Sequence, residues 1–295
     1  MKQKRLSLAV LGGDARQISM IDALREKGFL IKPWGMPPEC EQFSDWRETL
    51  QGSNAVILPL PFSIDKVHVN TVPTNTLRCD HLLSCLSGHT VFGGKLTDAF
   101  KEQAAQNAVR CVDYFESEVL QLKNALPSAE GALSIAMQTL PVTLDGCEAV
   151  VIGYGRIGEL LARKLNALGA RVTVFARRDE VLTRAELAHC RTVKLACQSG
   201  ISTLETIAPT VRVIFNTVPE WVLTRRVLYR ISQKCLLIDL ASAPGGIDFN
   251  AARELGLQAI WATALPGKYA PESAGIYLAQ AIEAAIDAID LSEQT

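Results

Sequence analysis

Three glycines carry the clearest chemistry in this chain of 295 residues. They stand in Val150-Val151-Ile152-Gly153-Tyr154-Gly155-Arg156-Ile157-Gly158, after an apolar run and before a helix-period run over 159–168 that closes at Gly169. The spacing G-x-G-x-x-G between a strand and a helix is that of a dinucleotide-binding turn. Gly153 allows the tight turn, Gly155 lets the backbone approach a pyrophosphate, and Gly158 lets helix and strand pack closely. The helix start then offers free N–H groups and a positive dipole end to the phosphates. Tyr154, Arg156 and Ile157 complete this candidate phosphate turn.

The next strand ends Thr173-Val174-Phe175-Ala176-Arg177-Arg178, with no acid before Asp179. An NAD site usually places a carboxylate there for the ribose 2′-hydroxyl, whereas a pair of guanidinium forks suits a 2′-phosphate. NADP is therefore expected over NAD, with Ala176, Arg177 and Arg178 at that end of the cofactor. The alternative is that both arginines only solvate a surface loop. Two later strand ends, Asn216-Thr217-Val218-Pro219 and the loop 239–246, should face the same crevice. Thr217, Val218, Pro219 and Ala241 are expected to line the nicotinamide-ribose side.

These groups need a scaffold, and the hydrophobic pattern supplies one. Runs rich in Val, Ile and Leu alternate with helix-period segments throughout, the signature of parallel sheets covered on both faces. In the first half the expected strands are 6–11, 29–32, 55–58, 90–92 and 110–113, with helices near 15–27, 80–86 and 98–107. In the second half they are 148–152, 171–175, 192–195, 211–216, 235–240 and 258–261, with helices such as 158–168 and 224–231. The expected class is α/β, with two doubly wound parallel-sheet domains, the second a Rossmann NAD(P)-binding domain, joined by hinge helices. The expected boundaries are 1–115 for a flavodoxin-like or Rossmann-like substrate domain, 116–141 for hinge helices, 142–270 for the nucleotide domain and 271–295 for a helix returning to the first domain. Pro127 should break the hinge into two helices, with Ser128 capping the second. The cleft between the domains is then the expected active site.

Composition narrows the class of ligand. Hydrophobic content of 48% gives each half a core, and 30 basic against 31 acidic residues leave no footprint for nucleic acid or an anionic membrane. No apolar run approaches the roughly 18 residues of a membrane span, and the one at 6–11 stops at Gly12-Gly13-Asp14 without a signal-peptide cleavage site. A cytoplasmic chain is expected, and the scattered cysteines fit a reducing compartment. Cys79-Asp80-His81 with Cys85 and His89 holds zinc-ligand types at spacings of no common zinc motif, so no metal is expected.

Several segments together resemble the A subunit of bacterial dipicolinate synthase. They are Leu11-Gly12-Gly13-Asp14-Ala15-Arg16-Gln17, Ala129-Glu130-Gly131-Ala132, the glycine turn at 153–158, the loop 239–246 and Ala264-Leu265-Pro266-Gly267-Lys268-Tyr269-Ala270-Pro271-Glu272-Ser273-Ala274-Gly275. The resemblance implies oxidation of 4-hydroxy-tetrahydrodipicolinate, with loss of water, to pyridine-2,6-dicarboxylate in the mother cell of a sporulating bacterium. It also implies partnership with a flavoprotein-like B subunit, and a homo-oligomer is expected. Such a small dicarboxylate needs cationic or N–H donors, and the reaction needs a base. Gly13, Arg16 and Gln17 are candidates to hold a carboxylate; Asp14 could orient Arg16, act as the base, or only cap the helix that follows. Glu130 and Ser134, one turn apart on the entering helix, could reach substrate or seal the hinge. Lys268, in a loop before the last helix, is the second cationic candidate.

The architecture is also similar to that of D-2-hydroxyacid dehydrogenases, which use a histidine late in the nucleotide domain. Here the only histidine after Gly158 is His189, ahead of the third strand, where it cannot serve. Shikimate-dehydrogenase-like enzymes rely on a Lys/Asp pair in the first domain, and Lys95 has no convincing partner for that. A non-catalytic NADP-binding scaffold is the reading from another class, kept open by the lack of an obvious catalytic dyad.

Overall fold

The computed structural model describes residues 6–74, 76–198 and 201–289. The chain forms two compact units, one made of the residues up to Asn124 together with those from Pro266 onward, the other of Ala125–Leu265. Among the described residues no helix is long and apolar enough to cross a membrane.

In the first unit, strands β1 (Ser7–Leu11), β2 (Leu30–Trp34), β3 (Ala55–Ile57), β4 (Thr90–Gly93) and β5 (Arg110–Asp113) form a sheet of order β2-β1-β3-β4-β5, all parallel. Its helices are α1 (Ala15–Glu26), α2 (Trp46–Leu50), α3 (Cys79–Ser84) and α4 (Asp98–Gln106). Side chains alternate faces along a strand, and β1 divides accordingly. Leu8 and Val10 pack with Met20, Ile21 and Leu24 of α1. Ala9 and Leu11 pack on the other face with Trp46, Leu82 and Phe100 of the remaining helices.

Helix α5 (Glu118–Thr139) runs unbroken through Pro127, against the expected break, and Ser128 lies buried inside it rather than capping a second helix. An internal proline costs on the order of 3 kcal/mol. The apolar stripe of Ala129, Ala132, Leu133 and Ala136, all buried in the core of the second unit, outweighs that cost. The chain passes from one unit to the other inside this helix.

The second unit holds β6 (Glu148–Ile152), β7 (Arg171–Ala176) and β8 (Arg191–Lys194), then a hairpin of β9 (Cys197–Gln198) and β10 (Ile201–Ser202), then β11 (Val213–Asn216), β12 (Leu236–Asp239) and β13 (Gln258–Trp261). The large sheet is parallel, in the order β13-β12-β11-β6-β7-β8. Its helices are α6 (Arg156–Ala167), α7 (Asp179–Leu187), α8 (Arg225–Leu228) and α9 (Phe249–Glu254). Ala149 and Val151 pack on the α6 and α7 face, while Val150 and Ile152 pack on the α8 and α9 face.

After β13 come α10 (Leu265–Tyr269) and α11 (Pro271–Asp287). Lys268 thus stands on a short helix and not in the expected loop. The expected last helix extends beyond residue 289, outside the described residues. Helix α11 joins the first unit's core through Leu278, Ile282 and Ile286. Its Gly275 marks a close approach to α1, where an added Cβ would stand 2.3 Å from the Arg16 carbonyl oxygen and 2.9 Å from the Met20 nitrogen. Backbone atoms there have nowhere to yield. Gly275→Ala is therefore expected to destabilise the fold by about 1–3 kcal/mol, as overpacking does; an unchanged urea midpoint would show that the two helices are free to part.

Candidate functional site

In the second unit the strand order reverses between β6 and β11, so the loops beyond their carboxyl ends flank a switch point, where open α/β sheets bind ligands. The glycine turn follows β6. Gly153 has φ +89°, a left-handed conformation suited to glycine, and an added Cβ would meet Thr217 Oγ1 at 2.4 Å. At Gly158 a Cβ would lie 2.2 Å from the Gly153 carbonyl oxygen, the close helix–strand contact expected of it. Gly155 differs, since a Cβ there would meet nothing within 4 Å. No packing inside the chain requires that glycine, and the space above it is open beside the start of α6, whose N-cap has no side-chain hydrogen bond. A helix start with no side chain at its N-cap, beside open space, fits a pyrophosphate.

A cavity of about 210 Å³ adjoins the turn, lined by Tyr154, Gly155, Ala176, Arg177, Arg178 and Arg184 among others. The Tyr154 side chain is buried in the core with its hydroxyl unpartnered, and burial raises its pKa, so this residue offers a ligand its backbone. Arg156 is exposed on the first turn of α6 and Ile157 is half-buried. Arg177 meets Glu220 with Nη1 on Oε1 at 3.0 Å and Nη2 on Oε2. Arg178 Nη1 lies 3.2 Å from Glu180 Oε1. Arg184, on α7, is a cavity residue that the sequence pattern does not single out. It donates from Nη2 to the Tyr154 carbonyl at 3.5 Å, and only a helix assignment for 179–187 would have turned it, with Val181, toward this cavity.

The loops after β11 and β12 are tied together by two fully buried polar side chains. The Asn216 amide donates to Asp239 Oδ1 at 2.8 Å and to the Val218 carbonyl at 2.9 Å, and its Oδ1 accepts from the Val218 N–H at 3.2 Å. The Asp239 carboxylate also accepts from the N–H groups of Ala241, at 3.1 Å, and Gly246, at 2.7 Å. Thr217 donates its hydroxyl to the Ile152 carbonyl at 2.9 Å, fastening its loop to β6. Val218 lines the cavity and Pro219 is exposed. Ala241 is buried with its N–H on Asp239 and its carbonyl on Trp261 Nε1, so its backbone is committed within the chain.

The first unit has its own switch point between β1 and β3, and Asp14, Arg16 and Leu60 meet beyond those strands. Asp14 caps α1 in a capping box, accepting from the Arg16 N–H at 3.0 Å while its own N–H donates to Gln17 Oε1 at 2.8 Å. It also takes the Arg16 fork, with Nε on Oδ1 at 2.9 Å and Nη2 on Oδ2 at 2.8 Å, and Nη2 reaches the Leu60 carbonyl. Only 6% of the Arg16 side chain is exposed against 39% for Asp14, so the carboxylate is the open member of the pair. Arg16, a candidate to hold a substrate carboxylate, here donates to Asp14 and to the Leu60 carbonyl. Gln17 is likewise buried, and Gly13, at φ +131°, lies against it; both shape the turn rather than present groups outward. Helix α10 abuts the pair, since a Cβ on Gly267 would lie 2.9 Å from Asp14 Oδ2. Its Lys268 is exposed. In the second unit Glu130 binds Lys164 of α6 at 2.8 Å, and Ser134 accepts from Gln138 at 3.1 Å. Among the described residues no group of His, Cys, Asp and Glu side chains is arranged to hold a metal; Cys79 is a buried thiol pushed up to about 11 by desolvation.

Residues 7–115 match the family model for the N-terminal domain of the dipicolinate synthase A subunit, and residues 148–202 match the pyridine nucleotide-disulphide oxidoreductase model. The chain is 33% identical to the A subunit of dipicolinate synthase from Bacillus subtilis (strain 168), over 98% of both chains. The chain belongs to the family of dipicolinate synthase A subunits. Two crystal structures of such subunits superpose on it closely. The one from Bacillus subtilis has a TM-score of 0.83 at 30% identity, covering 99% of both chains. The one from Bacillus halodurans has a TM-score of 0.83 at 28% identity, covering 95% of this chain and 97% of its own. Within the dipicolinate synthase family, then, this is a nucleotide-dependent oxidoreductase, and the glycine turn at 153–158 lies in the stretch that matches the pyridine nucleotide model.

The open space above Gly155 yields a direct test. Gly155→Val is expected to abolish NAD(P) binding while leaving the circular-dichroism spectrum and melting temperature of the chain unchanged. Undiminished cofactor affinity in that folded variant would remove the turn from the site.

Proposed function

We propose that this chain oxidises 4-hydroxy-tetrahydrodipicolinate to dipicolinate with NADP. The observation that carries the reading is the open space over Gly155 at the start of α6, where no side chain stands at the N-cap, in a chain alike along its length to the dipicolinate synthase A subunit of Bacillus subtilis. The conversion removes one water, one hydride and one proton and ends in an aromatic ring. When bound, the nicotinamide accepts the hydride. Gly153, Gly155, Gly158 and the first turn of α6 hold the pyrophosphate, and Arg177 and Arg178 hold the 2′-phosphate, with Arg184 beside them. Thr217 and Val218, fixed by Asn216 and Asp239, border the nicotinamide ribose.

In the first unit, the partly exposed carboxylate of Asp14 takes the substrate proton. Arg16 holds that carboxylate in one orientation through two hydrogen bonds, which is the positioning a base needs. Lys268, on α10 next to this pair, is the cation for a substrate carboxylate. Partnership with a flavoprotein-like second subunit belongs to the same reading.

The purified chain, given the tetrahydrodipicolinate intermediate and NADP, should produce reduced cofactor and the pyridine chromophore together. Asp14→Asn keeps a helix-capping side chain while removing the base, so kcat should fall about 10²–10⁴-fold with NADP affinity unchanged. A chain that binds NADP yet forms no product is a scaffold, and a full kcat in Asp14→Asn assigns the proton elsewhere.

Cofactor choice is tested separately. Replacing both Arg177 and Arg178 by Ala should weaken NADP binding on the order of tenfold or more and leave NAD binding nearly untouched, because only NADP carries the extra phosphate. Equal losses for the two cofactors, or a wild type that favours NAD, would make the arginines surface residues.

A further inference from the structure

Each arginine lining the cavity beside Ala176 already carries a carboxylate of its own chain, but the three pairs are not equivalent. Glu180 lies two residues from Arg178 on the first turn of α7, a local contact between two exposed side chains. Glu159 divides itself between Arg163, at 2.8 Å, and Arg184, at 3.7 Å. Glu220 comes from farther along the chain, 43 residues from Arg177, on the loop that follows Thr217, Val218 and Pro219. It meets both terminal nitrogens of the guanidinium with both of its oxygens. That two-pronged geometry is the one by which Arg takes a phosphate. Hydrogen bonding to Arg177 holds the Glu220 carboxyl below the usual carboxylate range, so it is ionised at neutral pH.

We propose that Glu220 sets cofactor choice by occupying the Arg177 fork that a 2′-phosphate would use, and that it must leave the fork when NADP binds. This rests on the reading of Arg177 as a 2′-phosphate ligand. NAD, with a hydroxyl in place of the phosphate, binds with the Arg177–Glu220 pair intact. NADP has to displace one anion with another and meets residual repulsion from the carboxylate it displaces. Both side chains of the pair are 56% exposed, so solvent and salt weaken the bond to the level of a surface ion pair. A doubly charged phosphate can therefore break it, at the cost of a several-fold discount on its affinity. The Glu220 loop also borders a second cavity of about 380 Å³, which Trp221 lines together with Arg177 and Leu195. The displaced carboxylate thus has free volume beside the fork.

The experiment titrates NADP and NAD against wild type, Glu220→Gln, Arg177→Ala, the Arg177→Ala/Glu220→Gln double variant and the Arg177/Arg178 double-alanine variant, with melting temperature as the check on folding. Glu220→Gln keeps the size and removes the charge. It should tighten NADP binding about fivefold and move NAD by less than about twofold, a selectivity that a merely structural role would not produce. Because Glu220 acts through Arg177, the gain should vanish when Arg177 is already Ala. Unchanged NADP affinity in Glu220→Gln, or a parallel change for both cofactors, overturns the proposal. If that happens while the double-alanine variant still loses NADP selectively, the 2′-phosphate reading stands and only the role of Glu220 falls. If the double-alanine variant is silent as well, both fall together.

Discussion

A carboxylate shut away from water must be met by hydrogen-bond donors of its own chain, because leaving it unmatched costs several kcal/mol. Asp239 is fully buried at the end of β12 and meets that demand from two loops at once, through the side-chain amide of Asn216 and the backbone N–H groups of Ala241 and Gly246. The consequence is geometric. Satisfying one charge fixes the loop after β11 against the loop after β12, and Thr217 then ties the first of these to β6. The glycine turn, the cavity wall at Val218 and the position of Glu220 all inherit their placement from this knot. Gly246 belongs to it for the same reason, since a Cβ there would lie 2.2 Å from the Asn216 amide nitrogen.

The first unit solves its loop problem differently. Arg16 is nearly buried, and its donors draw Asp14 and the Leu60 carbonyl together over the ends of β1 and β3. Tyr114, buried and kept neutral by its desolvation, donates to the Leu58 carbonyl at 2.9 Å and pins the same stretch from below. The outcome is a turn in which one carboxylate is both a helix cap and the exposed half of an ion pair. The second unit offers a glycine-headed helix start with open space above it at its switch point, and the first offers an oriented acid.

What is legible in the sequence is whatever depends on local periodicity. Strands buried on both faces read as unbroken Val, Ile and Leu runs, and the glycine turn announces itself because it stands between such a strand and a helix. The failures have physical causes. Pro127 reads as a break because a proline's missing donor is visible in the sequence, whereas the packing that overrides it is not. Helices α2 and α10 are too short to show a 3.6-residue period, so Lys268 reads as a loop residue. An Asp followed three residues later by Gln is the signature of a capping box, so the reciprocal bond of Gln17 could have been foreseen. Glu220 and Arg177 stand far apart in the chain, and only the sheet order, with β6 between β11 and β7, brings the loops after those two strands within reach of each other. The bond between Asn216 and Asp239 is hidden for the same reason.

The first unit is assembled from two separated stretches of chain, and this bears on the order in which the protein can form during synthesis. Residues 125–265 are contiguous and contain every strand of their own sheet, so they can collapse as soon as they leave the ribosome. The first unit cannot, although it is made earlier. Met20, Ile21 and Leu24 of α1 share their core with Leu278, Ile282 and Ile286 of α11, which are translated more than 250 residues later. Until then one face of that sheet has lost part of its cover, and a nascent chain must carry an apolar surface through most of its translation. The half of the molecule that is made first is the half that finishes last.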